Sequence, residues 1–223
     1  MRAFFVTGTG TNIGKTYVTA GIIRAARKAG RKASAVKPII SGYNPQTPQA
    51  SDPGLLLEAM DKKVSAQSVA AISPWRYAAA ISPDMAAAFE GRSISLPQVM
   101  TFCRAAVASA PDMMLVEGVG GAMVPLDRWH TVRDLIAGLN MPALLVAGSY
   151  LGSISHILTA SESLATRGIV IAAIVISESE ISPVRPEEIA ATIAKFLPRT
   201  AIHIIHRRLN DLALEKLAWA LDQ

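Results

Sequence analysis

Only one cysteine, Cys103, occurs among the 223 residues. An internal disulfide and a cysteine-based zinc cluster are therefore both excluded. Cys103 sits in the helical pattern "VMTFCRAAVASA" and reads as a small core residue rather than a nucleophile. Charge is also sparse: 17% of residues are charged and 51% are hydrophobic, a balance that supports a large core and argues against disorder. No apolar run reaches the roughly 18 residues that suggest a membrane span. The N-terminus "MRAFFVTGTG" turns to glycine too early for a secretory signal, so a soluble cytoplasmic protein is expected. The formal net charge of +5 would suit anionic partners. Its basic residues are scattered ("RAARKAGRK", "HRRL") with no Lys/Arg block and no aromatic interleaving, so neither nucleic acid nor a membrane is an expected partner.

What is present is alternation. Short apolar runs at 3–7, 33–37, 113–117, 143–147, 170–176 and 201–205 read as strands. Helical patterns at 15–29, 96–110, 131–139, 153–167, 186–196 and 212–221 separate or follow them. Strands that are apolar throughout are buried on both faces, as in a parallel sheet covered by helices. The expected fold is α/β: a doubly wound, mostly parallel sheet with helices on both faces, forming one domain over 1–223. The segment 44–53, "NPQTPQASDP", reads as a loop.

Several pieces near the ends of these strands carry chemistry, since ligands bind there in open α/β sheets. The stretch "GTGTNIGKT", 8–16, lies between a strand and a helix, the context of a phosphate-binding loop. Its backbone N–H groups, from Asn12, Ile13 and Gly14 into the helix at Lys15, Thr16 and Tyr17, face an anion favoured by the helix dipole. Lys15 would reach the β- and γ-phosphates of a nucleotide and the Thr16 hydroxyl would bind Mg²⁺. The first glycine stands at Gly8, one place earlier than the usual spacing. In "VKPIISG", Lys37 ends a strand and Ser41 follows a short turn; a lysine in such a place is either solvated or functional. In "SDPGLLL", Asp52 is either a helix cap or a metal ligand. In "MMLVEGVGG", Glu117 follows a buried strand at a place where acids hold magnesium, and Gly118, Val119 and Gly120 allow close backbone approach. In "AGSYLGSISH", Gly152 precedes a helix whose N–H groups either capture a carboxylate or merely follow a glycine turn capped by Ser153.

Together these pieces resemble the dethiobiotin synthetase family, whose loop G-T-[DG]-T-x-x-G-K-T shares the early glycine. "VKPIISG" is similar to its K-P-[VI]-x-S-G, "SD" to its acidic metal site, "VEGVGG" to its V-E-G-[AV]-G-G, and "GSYLGSISH" to its G-x-x-L-G-x-[IL]-[NS]-H. The matches run in order from residue 3 to about residue 160. The resemblance implies an ATP- and Mg²⁺-dependent carboxylation of 7,8-diaminopelargonate with CO₂, through a carbamate and a carbamic-phosphoric anhydride. It assigns Lys15 and Lys37 to charge stabilisation, Thr11 and Ser41 to the carbamate, and Thr16, Asp52 and Glu117 to the metal. It also implies a homodimer with the substrate at the interface, where Gly152, Ser153 and Ser155 of one subunit receive the tail carboxylate.

The chain departs from the family pattern at several places. Gly10 and Asn12 stand where many relatives carry acids, and Asp84 in "SPDMAAAFEG" stands where histidine is usual. Ser177, followed by Glu178, replaces the base-recognising asparagine, and Ile205-His206 replaces Ile-Pro. Two other classes remain: a partitioning-type switch ATPase, whose loop needs a second lysine where Gly10 stands, and a non-catalytic nucleotide-binding module. An amidotransferase relative would need a glutaminase domain, which is not expected here.

Overall fold

The computed structural model describes residues 2–110, 112–207 and 211–222. Of the basic run at 206–209, the last two residues lie outside these, as do both ends of the expected 1–223 domain. Six strands form one sheet: β1 (Arg2–Gly8), β2 (Ala33–Val36), β5 (Met113–Glu117), β6 (Ala143–Ala147), β7 (Ile171–Ser177) and β8 (Ile202–Ile205). Their order is β2-β5-β1-β6-β7-β8, and every pairing is parallel. All residues of β5 and β6 are buried, so helices cover both faces, as the unbroken apolar runs predicted. The six expected helices are present as α1 (Lys15–Lys28), α5 (Leu96–Ala108), α6 (Val132–Leu139), α7 (Ser153–Ala165), α8 (Pro186–Phe196) and α9 (Asp211–Asp222). Among the described residues, no helix is long and apolar enough to cross a membrane.

The chain runs from central β1 to edge strand β2 and then back to β5, which lies between them. It next crosses to the far side of β1 for β6, β7 and β8. Parallel strands put all their carboxyl ends on one rim, and the reversal of direction beside β1 opens a crevice there. Register then sets neighbours: Val36 pairs with Val116 and Val6 with Glu117. Lys37, one residue past β2, is thereby brought beside Glu117 and the loop that follows β1.

One region is more ordered than its composition suggests. Between β2 and α5 lie β3 (Ile39–Ser41), α2 (Asp52–Ala59), α3 (Ala66–Ile72), β4 (Trp75–Tyr77) and α4 (Pro83–Phe89). Strands β3 and β4 form a separate parallel pair, so Ser41 ends a strand rather than following a turn. The 44–53 loop holds a 3₁₀ turn at Pro48–Ala50, and its last two residues already belong to α2. Ser51, not Asp52, caps that helix, accepting the Gly54 N–H at 3.2 Å. Pro53 sits in the first turn, where a missing N–H costs nothing. Three-residue strands and seven-residue helices are too short to show a period, and this is why the sequence concealed them.

Candidate active site

The loop after β1 wraps back on itself. Gly14 takes φ +93°, a left-handed conformation that suits glycine. A Cβ there would lie 2.6 Å from Ser177 Oγ, so the loop also touches the end of β7. Helix α1 begins at the next residue, Lys15, leaving its first N–H groups directed at an incoming anion. Lys15 is buried and donates to the Gly10 carbonyl at 2.7 Å. Burial and the neighbouring Lys37 push its ammonium down to about 8, while Glu117 and Asp52 pull the other way.

Lys37 is not the solvated strand-end lysine that its position allowed. It is 2% exposed, and its ammonium donates to Glu117 Oε1 at 2.7 Å and to the Gly118 carbonyl at 3.3 Å. Asp52 Oδ2 lies 2.8 Å away. Burial opposes charge on Lys37, yet Glu117 and Asp52 outweigh it and raise the ammonium above its ordinary value. Burial likewise opposes charge on Asp52, but Lys37 dominates, with help from the Thr16 hydroxyl, and holds the carboxyl below its usual value. Asp52 is therefore a partner of the site and not a cap.

Glu117 is fully buried. Its Oε1 accepts from both Thr16 Oγ1, at 2.6 Å, and Lys37, whereas its Oε2 is buried without a partner. Buried polar oxygens are nearly always satisfied, so this orphan is a position for a ligand. A hydroxyl and two carboxylates, all hard oxygens, match what magnesium takes from a protein when phosphates complete its shell. The described residues contain no group of three or more His, Cys, Asp or Glu that could hold a metal; magnesium, which uses few carboxylates, does not require one. The residues present fit that ion.

Above this floor opens a cleft of about 840 Å³. Thr11, Asn12, Gly14, Thr16 and Tyr17 line it from the loop, Lys37, Ser41 and Asp52 from the β2–α2 side, and Val119 and Gly120 from the turn after β5. Lys15, Ile40, Ile81, Ser82 and Pro83 are also among its lining; the last four were missed, although "SPDMAAAFEG" had marked the neighbourhood. Asp84 does not line the cleft; its Oδ1 accepts the Ser82 hydroxyl at 2.5 Å in the first turn of α4. A second chamber, about 440 Å³, shares Asn12, Gly14 and Tyr17 with the cleft and adds Ile13, Ser177, Glu178 and His206.

Gly152, Ser153 and Ser155 stand apart, for none of them lines either cavity. Gly152, at φ +94°, is itself the cap of α7, and Ser153 is the first helical residue, buried. The Ser153 cap is thus corrected to a glycine cap. Cys103 is fully buried and its thiol is pushed up to about 12 by burial, as a core role requires.

A family model described as an AAA domain matches residues 2–208. The ATP-dependent dethiobiotin synthetase BioD of Acidiphilium cryptum (strain JF-5) is 51% identical over 90% of this chain and 90% of its own length. The protein of the same name from Methylobacterium nodulans (strain LMG 21967 / CNCM I-2342 / ORS 2060) is 47% identical, over 87% of this chain and 89% of its own. Among solved structures, the septum site-determining protein MinD of Pyrococcus horikoshii OT3, complexed with Mg-ADP, superposes with a TM-score of 0.60 at 15% identity. That match covers 100% of this chain and 96% of that one. The cell division ATPase MinD of Pyrococcus furiosus gives a TM-score of 0.57 at 17% identity over 99% and 98%. Likeness at this identity concerns the fold alone, a parallel sheet covered by helices.

Proposed function

The chain belongs to the family of ATP-dependent dethiobiotin synthetases, and from that premise we propose how its residues divide the reaction. The substrate 7,8-diaminopelargonate carries two vicinal amines and a long carboxylate tail. One amine captures CO₂ as a carbamate. The carbamate oxygen attacks the γ-phosphate of ATP, forming a carbamic-phosphoric anhydride and releasing ADP. The second amine then attacks the carbamate carbon, closing the cyclic urea of dethiobiotin and expelling phosphate.

Two anions must meet in the first phosphoryl transfer, so positioning and electrostatics carry the catalysis. Lys15 supplies positive charge from the loop and Lys37 from the strand side. Thr11 and Ser41, which both line the cleft, hydrogen-bond the carbamate. Thr16, Asp52 and Glu117 would hold Mg²⁺, which when bound neutralises phosphate charge. The observation that carries the reading is the buried ammonium of Lys37, set between Glu117 and Asp52 beside the phosphate loop.

The 840 Å³ cleft takes the triphosphate and the diamine, and the adjoining chamber takes the base. Gly152, Ser153 and Ser155 receive the tail carboxylate of a substrate bound mainly to the partner subunit of a homodimer. That none of them lines this chain's own cleft and that Leu151 beside them is exposed support that assignment. The enzyme acts in the cytoplasm as a single P-loop α/β domain. The test is coupling: phosphate release from ATP should require both diaminopelargonate and bicarbonate. Hydrolysis that ignores either one would indicate a switch ATPase, and no turnover with both would indicate a binding module.

A further inference from the structure

Glu178, Ser179 and Glu180 form one wall of the base chamber; they open the segment 178–185 between β7 and α8, and two clasps hold that segment. On one side Ser149 and Ser179 exchange backbone-to-hydroxyl hydrogen bonds, both 2.9 Å, and Ser182 Oγ donates to Ser149 Oγ at 2.8 Å. On the other side the ring of His206 lies between two carboxylates. Its Nδ1 is 3.3 Å from Glu178 Oε2 and its Nε2 is 3.1 Å from Glu187 Oε1. Glu178 Oε2 also accepts the Arg207 N–H at 3.0 Å.

The two clasps differ in what they ask of solution. Hydroxyls and amides keep their donors across the physiological range. A neutral imidazole has one N–H and presents a lone pair at the other nitrogen, so it can serve only one of two carboxylates. An imidazolium donates at both. With a proton on each nitrogen, His206 therefore joins the end of β7, the first turn of α8 and the end of β8.

Resting on the reading that this chamber receives the base, we propose that His206 is a positioning residue for the nucleotide. As an imidazolium it ties Glu178 to Glu187 and holds the chamber wall in shape. Losing one proton releases one tie, loosens the wall and weakens nucleotide binding while leaving the phosphoryl chemistry intact. Among the described residues, the charged groups at the ring are Glu178, one residue past β7, Glu187 from α8 and Arg207, next in the chain, while Glu180 lines the same chamber. Glu188, also in the first turn of α8, is 3.6 Å from Arg185.

His206→Gln retains bulk and one donor but cannot carry charge. KM for ATP, kcat, and equilibrium binding of ATP are compared with wild type between about pH 5.5 and about pH 8.5, the range in which histidines change charge. Titration of Lys15 and of the phosphates is common to both proteins and cancels in their ratio. The ratio of KM values, variant over wild type, should be about two- to fivefold at the acid end, as the loss of a partly exposed charge pair implies. It should fall toward unity at the alkaline end, with kcat at saturating ATP unchanged. Glu187→Gln should follow with the same sign. Inorganic tripolyphosphate, which has no base, should bind both proteins equally. A ratio that is flat with pH, at unity or above, overturns the proposal, as does an equal loss for tripolyphosphate. Wild-type kcat with a flat ratio would remove the clasp alone. Absence of product from either protein would remove the carboxylation reading, and the ATP-binding arm would still judge the clasp.

Discussion

Replacing Lys37 by glutamine should separate two consequences of one buried charge. Lys37 is 2% exposed and its ammonium compensates Glu117, which has no exposure at all. Glutamine removes that charge and leaves Glu117 with the Thr16 hydroxyl at 2.6 Å as its remaining side-chain donor. Breaking a buried pair from one side costs about 3–5 kcal/mol. Asp52, whose side chain is 41% exposed, can turn to water and adds little. Against a total stability of roughly 5–15 kcal/mol, Lys37→Gln should remain folded but melt well below wild type. Ligand should recover part of the loss, since saturation at about a hundred times Kd contributes about 2.7 kcal/mol to any folded state that binds. Catalysis should not recover: an electrostatic contact made at the reacting anions is worth ~10²–10³ in rate. The assays are thermal unfolding with and without magnesium and ATP, and dethiobiotin formation from labelled bicarbonate. Unchanged melting of the unliganded variant would refute the charge-burial argument. Turnover above about a tenth of wild type would refute the catalytic role, because the predicted loss is at least tenfold larger.

Glu117→Gln should raise the Mg²⁺ requirement more than it weakens diaminopelargonate binding, because Glu117 offers the ion a buried, unpartnered oxygen; an unchanged magnesium optimum at saturating ATP would assign it another role. Base selectivity should be weak, with GTP and CTP supporting turnover within about tenfold of ATP, or ~1.4 kcal/mol. Ser177 has only a hydroxyl, and the Glu178 carboxylate is already engaged by His206 and the Arg207 N–H. Comparing kcat/KM for the three triphosphates decides it, and a preference for ATP above about a hundredfold would mean adenine is read by other groups. The ammonium of Lys15, pushed down to about 8, loses charge as pH rises through that value, whereas a triphosphate favours the charged form. ATP binding should therefore weaken above about pH 8 and take up a proton. Calorimetry in buffers of different ionisation enthalpy measures the uptake; none at about pH 8.5 would contradict it.

The sheet was legible in the sequence because its strands are buried on both faces. "MMLVE" and "ALLVA" carry no polar residue on either face before their ends, and such runs alternating with helical patterns indicate a parallel sheet between helices. The phosphate loop was legible for a similar reason: a tight left-handed turn, a helix start and a lysine must follow one another within a few residues, so the signal is local. The rim formed by β3, α2, α3, β4 and α4 was not, since each piece spans too few repeats of its period for the pattern to stand out.

Tertiary structure alone decided the state of the charged groups. Nothing local to Lys37 distinguishes a solvated lysine from one enclosed by Glu117 and Asp52. That outcome follows from the pairing of Val36 with Val116, which joins segments eighty residues apart, and from Ser51 starting α2 one residue before Asp52. The same holds for His206, whose two carboxylate partners come from a strand end and a helix start. Sequence determines which residue types are available and where the backbone must bend. Burial, and with it the protonation and partners of each charge, is a property of the assembled rim, because desolvation depends on every element that closes over the site.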